Sequence, residues 1–247
     1  FNGSIKFDNV NFSYRDTNKK TLQSISFIIP HKSSTAFVGE SGSGKTTIVD
    51  LITLTNEGYE GEITIDGIKA NEIDKPSWRK HIGYVSQDTL IFDDTIANNI
   101  SMWTGDYNAK VISQIREAAD QANILEFIDS LPGGLNTIVG DRGMLLSGGQ
   151  RQRIFIAREL FRKPNILILD EATSALDSES EKSIQESIES LAGKVTVIVI
   201  AHRLSTIKSV DQIYLLEKGK IAEQGTYSEL KNNSKSKFSK LVSLQVL

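Results

Sequence analysis

Residues 39–47, "GESGSGKTT", have the spacing G-x-x-x-x-G-K-[ST] between a strand-like apolar run and a helix-like one. Glycines let backbone N–H groups turn inward around phosphate oxygens, and a helix N-terminus adds its positive end. We expect Lys45 to reach the β- and γ-phosphates of a nucleotide and Thr46 to bind Mg²⁺. The alternative, a flexible turn with an incidental lysine, is disfavoured by the flanking elements. The expected phosphate contacts are Gly39, Glu40, Ser41, Gly42, Ser43, Gly44, Lys45, Thr46 and Thr47.

The run "ILILDE", residues 166–171, supplies the acidic groups that such a site requires. The apolar letters predict a buried strand, and Asp170 follows at its carboxyl end, where open α/β sheets bind their ligands. We expect Asp170 to hold Mg²⁺ and Glu171 to orient or deprotonate the attacking water. Acidic residues also favour the first turn of a helix, so a plain helix start is the alternative. A guanine-reading "NKxD" pattern is absent from the sequence, which favours ATP over GTP.

A second glycine-bearing segment, "MLLSGGQRQR" at residues 144–153, precedes the apolar run "IFIA". Ser147, Gly148 and Gly149 leave a loop and open a predicted helix, which makes a second anion-binding helix N-terminus. The alternative is an ordinary N-cap serine followed by a flexible turn. Because one chain needs only one phosphate-binding loop, the second site is explained if it serves a nucleotide held by another molecule.

The elements around these motifs predict an α/β protein. Residues 4–30 alternate in strand fashion, and "GEITIDGIKA" predicts a hairpin that turns at Asp66 and Gly67, so we expect an N-terminal antiparallel β subdomain. The buried runs "TAFVG", "NILILD" and "VTVIVIA" alternate with helices. That order is typical of a mixed or largely parallel sheet covered on both faces.

A helical insertion interrupts this alternation. Apolar residues recur at helical spacing on what the pattern predicts as one face: Val111, Ile115, Ala118, Ala122 and Leu125. We predict a P-loop ATPase core over about 1–94 and 161–247, with an inserted α-helical subdomain over about 95–160.

Composition excludes several classes of protein. The net charge is −3 and the basic residues are scattered, which argues against a nucleic-acid partner. Cysteine is absent, so disulfides and thiolate metal sites are excluded. The longest apolar run, residues 195–201, is far shorter than the roughly 20 residues of a membrane helix. The chain begins with Phe1 rather than methionine, and we expect it to be a segment of a longer polypeptide.

The letters "LLSGGQ" resemble the signature motif of ATP-binding-cassette (ABC) ATPases, and the resemblance covers essentially all 247 residues in the family's motif order. In that family two nucleotide-binding domains dock head to tail. Each ATP is held between the phosphate loop of one domain and the signature helix of the other. The resemblance implies that Ser147, Gly148, Gly149 and Gln150 contact the ATP of a second copy of the chain.

The resemblance also gives roles to four further residues. Gln87, which ends "YVSQ", matches the glutamine that contacts Mg²⁺ and the attacking water. Asp177, in "SALD", matches the residue that communicates across the dimer, and His202, in "VIVIAHR", matches the histidine that contacts the γ-phosphate. Tyr14, in "NFSY", matches the aromatic residue that stacks on adenine. Taken singly, each has a plainer explanation as a loop, surface or core residue.

Two other segments resemble the exporters of this family. Residues 90–100, "LIFDDTIANNI", are similar to "F-x-x-[ST]-I-x-x-N-I", and residues 137–143, "TIVGDRG", are similar to "TxVGExG", with Asp141 where glutamate is usual. In exporters the second segment touches the coupling helices of the membrane domains. The resemblance implies the C-terminal ATPase domain of a half-transporter, fused to a transmembrane domain and working as a homodimer on the cytoplasmic face of the cell membrane. Its work would be export or flipping of a substrate.

Two alternatives stay open. One is a soluble, non-transport ABC ATPase of the DNA-repair, chromosome or translation type; such proteins carry a long coiled coil or a second cassette, and this sequence has neither. The other is the separate ATPase subunit of an importer, which would normally begin with its own methionine and lack the pattern at residues 137–143.

Overall fold

The computed structural model describes residues 1–14, 20–86, 90–104, 106–170, 178–201 and 203–245. The strands are β1 (Ser4–Phe12), β2 (Leu22–Pro30), β3 (Ser34–Val38), β4 (Glu60–Ile65), β5 (Ile68–Lys69), β6 (Ile82–Val85), β7 (Ile166–Asp170), β8 (Thr196–Ala201), β9 (Gln212–Glu217) and β10 (Lys220–Gly225). The α-helices are α1 (Lys45–Ile52), α2 (Lys75–Arg79), α3 (Ile96–Ser101), α4 (Ala109–Gln121), α5 (Leu125–Ser130), α6 (Gly148–Phe161), α7 (Ser178–Leu191), α8 (Tyr227–Asn232) and α9 (Lys237–Gln245).

Two sheets form within the described residues, and they confirm the predicted α/β class. The N-terminal sheet is antiparallel with the order β2-β1-β4-β5, and it contains the predicted hairpin, in which Ile65 pairs with Ile68 across Asp66 and Gly67. The central sheet has the order β10-β9-β3-β8-β7-β6. Its strands run parallel except β10, which pairs antiparallel with β9.

The central strands separate two hydrophobic cores. Along β3, Ala36 and Val38 point into one core, whereas Phe37 points into the other, as the two-residue period of a strand requires. One core is shared with the antiparallel sheet and α1, and the other with α3 and helices that follow it. Burial on both faces explains why β3, β7 and β8 are continuous apolar runs.

The helical part between β6 and β7 contains α3 to α6, as an inserted subdomain requires. One detail of its prediction was wrong. The apolar series over residues 111–125 does not lie on one helix, because α4 ends at Gln121 and Leu125 begins α5. Asn123 adopts a left-handed backbone conformation with φ of 54°, which breaks the helix between them. The exact limits of the subdomain stay a prediction.

Within the described ranges, helices long and apolar enough to cross a bilayer are absent.

Candidate functional site

The loop that joins β3 to α1 has a backbone shaped for an anion. Gly44 is the N-cap of α1 with φ of 109°, and it carries no side chain that could occupy the first-turn N–H groups. Gly39 has φ of 151°, and a Cβ atom there would lie 2.3 Å from the carbonyl oxygen of Leu216. Both positions therefore require glycine, and the helix N-terminus opens toward the loop.

Two polar side chains of the loop suit a phosphate group. Lys45 is only 5% exposed, and its Nζ donates to the carbonyl oxygens of Gly39 at 2.7 Å and Glu40 at 3.0 Å. The Ser43 hydroxyl is buried, and among the described residues it has no hydrogen-bond partner. A buried donor without a partner costs about 1–3 kcal/mol, and a phosphate oxygen would remove that cost. The loop therefore fits a nucleotide phosphate chain.

The β9–β10 turn supports this loop from behind. The N–H of Gly219 donates to the carbonyl oxygen of Ser43 at 3.1 Å. The N–H of Gln23 donates to the carbonyl oxygen of Gly219 at 2.8 Å. The side chain of Gln23 also donates to the carbonyl oxygen of Lys218 at 3.2 Å. These bonds fix the loop to both sheets, so its shape does not depend on a ligand.

Tyr14 lies beside the start of α1, close to the phosphate loop. Its hydroxyl is 3.1 Å from Thr47 Oγ1 and 3.5 Å from an Asp50 carboxylate oxygen, and its ring packs edge-on against Phe12. Burial raises the pKa of Asp50; the Tyr14 hydroxyl opposes that effect and the nearby charge of Asp170 adds to it. Sequence reasoning missed Asp50, because an acidic residue inside a helix carries no motif.

Asp170 ends β7 on the same side of the molecule. In the neighbouring parallel strand, Tyr84 is in register with Ile168, and its hydroxyl donates to Asp170 Oδ2 at 2.5 Å. Asp170 and the exposed Thr46 supply a carboxylate and a hydroxyl oxygen, and oxygen ligands are those that Mg²⁺ prefers. The residues present therefore fit a magnesium ion. The role of Tyr84 was not predicted, since its contact depends on a strand pairing that joins residues 86 apart in the sequence.

Ser147 is the N-cap of α6, a position that both interpretations of this segment predict. Its hydroxyl oxygen accepts from the Gln150 N–H at 3.2 Å, and the Gln150 side chain accepts from the Ser147 N–H at 2.8 Å, which is a capping box. The hydroxyl proton is not used by that cap and can still be donated to an anion. Met144 and Leu145, just before the cap, are 76% and 75% exposed.

The two exporter-like segments, which lie far apart in the sequence, pair with each other. Thr95 and Ile138 form an antiparallel bridge. Two backbone hydrogen bonds flank it: the Ile96 N–H donates to the Thr137 carbonyl oxygen at 3.0 Å, and the Val139 N–H donates to the Asp94 carbonyl oxygen at 3.1 Å. The backbone of residues 137–143 is therefore tied to the segment that follows Gln87.

Arg158 on α6 holds the first of these segments in turn. Its guanidinium is 4% exposed and donates to the carbonyl oxygens of Asn99 at 2.7 Å and Leu90 at 2.8 Å. It also lies over the rings of Phe92 and Phe155. The helix that begins at Ser147 is thus anchored to residues 90–100.

Four residues with predicted roles lie outside the described residues. They are Gln87, Glu171, Asp177 and His202. Their roles remain predictions. The predicted residues that the structure does describe lie in or beside the phosphate loop, at the end of β7 and at the start of α6.

A phosphate loop at the end of a central strand, with an acidic strand end nearby, defines a P-loop nucleotide-binding domain. The family model described as "ABC transporter" matches residues 22–174. The chain belongs to the ABC transporter family, and within it the chain is the ATP-binding ATPase domain.

The chain is also similar to longer proteins of known name. It is 48% identical over 230 residues to the ATP-dependent lipid A-core flippase of Shewanella oneidensis, covering 92% of this chain and 38% of that protein. The corresponding flippase of Vibrio cholerae is 46% identical over 230 residues, covering 93% and 39% of the two chains. The solved structure of a bacterial Atm1-family ABC exporter with ATP bound has a TM-score of 0.84 and 39% identity, covering 100% of this chain and 42% of that one. The chain thus spans about two fifths of the length of these relatives.

Proposed function

We propose that this chain binds Mg·ATP at its phosphate loop and closes that site with the N-terminus of α6 from a second copy. The observation that carries the proposal is that one chain has two helices with glycine at their starts, α1 after the residue 39–47 loop and α6, which Ser147 caps. In the solved exporter, ATP is bound to a chain that superposes on all of this one.

The phosphate loop holds the triphosphate through backbone N–H groups and two side chains. Lys45 now satisfies its ammonium with carbonyl oxygens of its own loop, 2.7 and 3.0 Å away. On binding, the Lys45 ammonium turns to the β- and γ-phosphates. The buried Ser43 hydroxyl, which has no hydrogen-bond partner in the part of the chain that the structure describes, donates to a phosphate oxygen. Tyr14, beside Thr47, stacks on the adenine.

The second copy supplies Ser147, Gly148, Gly149 and Gln150. The capping box uses the hydroxyl oxygen of Ser147 and leaves the hydroxyl proton unused. The same residue can therefore cap the start of α6 and donate to a γ-phosphate. The exposed Leu145 beside the cap is in position to be covered when two copies meet. Asp177 communicates between the two copies.

Hydrolysis uses the groups at the end of β7. Thr46, Asp170 and Gln87 would hold Mg²⁺, which neutralises charge as it develops on the phosphates. Glu171 orients the attacking water and takes its proton. His202 donates to the γ-phosphate. Once water has displaced ADP from the γ-phosphorus and the inorganic phosphate has left, the two copies lose the charge that joins them.

The whole protein is proposed to be an exporter, with this chain on the cytoplasmic face of a membrane. The paired segments at residues 94–96 and 137–139 form the surface that meets the coupling helices of a transmembrane domain. The relatives from Shewanella oneidensis and Vibrio cholerae are named as lipid A-core flippases. Export or flipping of a substrate is therefore the activity that we propose for the complete chain.

The variant Glu171→Gln tests this proposal. It keeps the shape of the side chain but removes the base, so ATP affinity should be unchanged, turnover should fall by at least about 100-fold, and an ATP-dependent dimer should accumulate. Glu189→Gln, on the exposed side of α7, is the matched control and should behave as the parent. Binding is measured with a fluorescent ATP analogue and dimer formation by analytical ultracentrifugation. Parental hydrolysis by Glu171→Gln would show that Glu171 is not the base.

A further inference from the structure

Tyr84 connects the proposed metal carboxylate to the rest of the fold through both its side chain and its backbone. Its hydroxyl donates to Asp170 Oδ2 at 2.5 Å, across the β6–β7 pair. Its backbone N–H donates to the buried carboxylate of Glu159, which lies on α6. Tyr84 is the first residue of "YVSQ" and Asp170 lies in "ILILDE", but neither motif gives a role to Tyr84 itself.

We propose that Tyr84 is a positioning residue that fixes the rotation of the Asp170 carboxylate for the metal of Mg·ATP. A carboxylate at the end of a strand can turn about its terminal bond, and its two oxygens are then equivalent. A hydrogen bond to Oδ2 removes that freedom and leaves Oδ1 for the cation. Groups that hydrogen-bond to metal ligands in this way orient them, and their loss typically weakens metal binding about 10- to 100-fold.

The surroundings of Tyr84 keep its hydroxyl in place. Strand β6 is packed tightly under α6: a Cβ atom at Gly83 would lie 3.1 Å from Glu159 Cβ and 3.1 Å from Leu167 Cδ1. Val85, the residue that follows Tyr84, is fully buried. The Tyr84 ring therefore projects from a strand that is held in place, because α6, the helix that starts at Ser147, packs directly against β6. The alternative is that the Tyr84 hydroxyl only stabilises the fold, and metal titration of a variant without that hydroxyl separates the two explanations.

The inference rests on the proposed function, since it assumes that Asp170 faces Mg·ATP. The test is Tyr84→Phe, which removes the hydroxyl and keeps the ring. The matched control is Tyr214→Phe, because Tyr214 is a buried tyrosine of the same sheet whose hydroxyl donates to the Ile28 carbonyl oxygen at 3.2 Å. Each 247-residue chain is titrated with a fluorescent ATP analogue in EDTA, and then with Mg²⁺ at fixed nucleotide. Mn²⁺ binding by electron paramagnetic resonance gives a readout that needs no turnover.

For Tyr84→Phe we expect nucleotide affinity in EDTA equal to that of the parent, with the Mg²⁺ and Mn²⁺ midpoints raised about 10-fold. Tyr214→Phe should leave both midpoints unchanged, although its thermal midpoint falls. Parental metal midpoints in Tyr84→Phe would overturn the inference, and so would an equal loss in EDTA and in Mg²⁺, which is the result of a merely structural role. If the parent chain itself bound no ATP analogue, the proposed function would fail instead, so the two failures are distinguishable.

Discussion

Replacing Arg158 by methionine tests how α6 is held against residues 90–100. The guanidinium is buried and donates three hydrogen bonds, to Asn99 O, Leu90 O and Asn99 Oδ1. Methionine fills much of the same volume but donates nothing. Asn99 Oδ1 keeps a second donor in the N–H of Phe92 at 2.9 Å, so two carbonyl oxygens lose their partner.

The cost follows from those two acceptors. The bond to Asn99 is buried, whereas the bond to Leu90 is part-buried on a residue that is 56% exposed. A buried carbonyl oxygen left without a donor costs about 1–3 kcal/mol and one that water can reach costs less, which gives roughly 2–5 kcal/mol for the pair. Removing the charge returns part of this, because burial lowers the pKa of Arg158 and so measures a desolvation penalty against the charged form. We expect Arg158→Met to reduce the free energy of unfolding by about 3 kcal/mol. For a chain of this size that corresponds to a thermal midpoint lower by roughly 6–12 °C.

Arg116→Met is the matched control, since Arg116 also lies on a helix of the inserted part and makes two 2.8 Å hydrogen bonds, to Asp129. Arg116 and Asp129 are both exposed, so the thermal midpoint of Arg116→Met should stay within error of the parent. The assay is urea unfolding followed by circular dichroism, together with a thermal scan. Equal losses for the two arginine variants would refute the reasoning, because burial would then not decide the cost. Arg158→Met should also weaken the ATP-dependent dimer, since α6 carries Ser147.

Substitutions at four other positions give further checks. Ser147→Asp keeps an N-cap but adds a negative charge, so stability should stay near that of the parent while the ATP-dependent dimer is lost; Ser147→Ala should instead cost about 1 kcal/mol in urea unfolding. Gly39→Ala should prevent nucleotide binding because its Cβ would lie 2.3 Å from the Leu216 carbonyl oxygen, whereas Gly42→Ala, where nothing lies within 4 Å, should cost only about 1 kcal/mol of backbone strain. Burial raises the pKa of Glu223, but three hydrogen bonds at the start of α9 outweigh it, so its pKa lies below the ordinary 4.5. The stability that Glu223 contributes is therefore present near pH 7 and lost as the pH falls below 4.5, where the unfolding free energies of the parent and Glu223→Gln should converge.

The sequence predicted those parts of the fold that depend on local pattern. Strands β3, β7 and β8 are uninterrupted apolar runs, so their burial could be deduced from the letters alone. The turn at Asp66 and Gly67 carries its own signal, because both residues need a left-handed backbone. The break between α4 and α5 carries no comparable signal. Asn123 is one of the few residue types that tolerate that conformation, but the apolar spacing continues across it.

Contacts between distant segments could not be predicted. The phosphate loop and the Ser147 cap are short motifs whose chemistry is encoded in consecutive residues. The bond from Tyr84 to Asp170 needs β6 and β7 to be neighbours, and the bridge from Thr95 to Ile138 joins two segments separated by α4 and α5. The first contact depends on the order of strands in the sheet and the second on how loops of the inserted part pack together, and local sequence pattern encodes neither.

The central claim is that one γ-phosphate is held by two copies of the chain in head-to-tail arrangement, and cross-linking tests it most directly. The sequence has no cysteine, so single thiols can be placed at will. Ser41 on the phosphate loop and Leu145 beside the Ser147 cap are both exposed. A Glu171→Gln chain carrying Ser41→Cys, mixed with one carrying Leu145→Cys, should be joined by a short thiol cross-linker only when ATP is present. Either variant alone should stay monomeric after cross-linking. A mixture that gives no ATP-dependent product, or a Ser41→Cys chain that cross-links to itself as efficiently, would contradict the account.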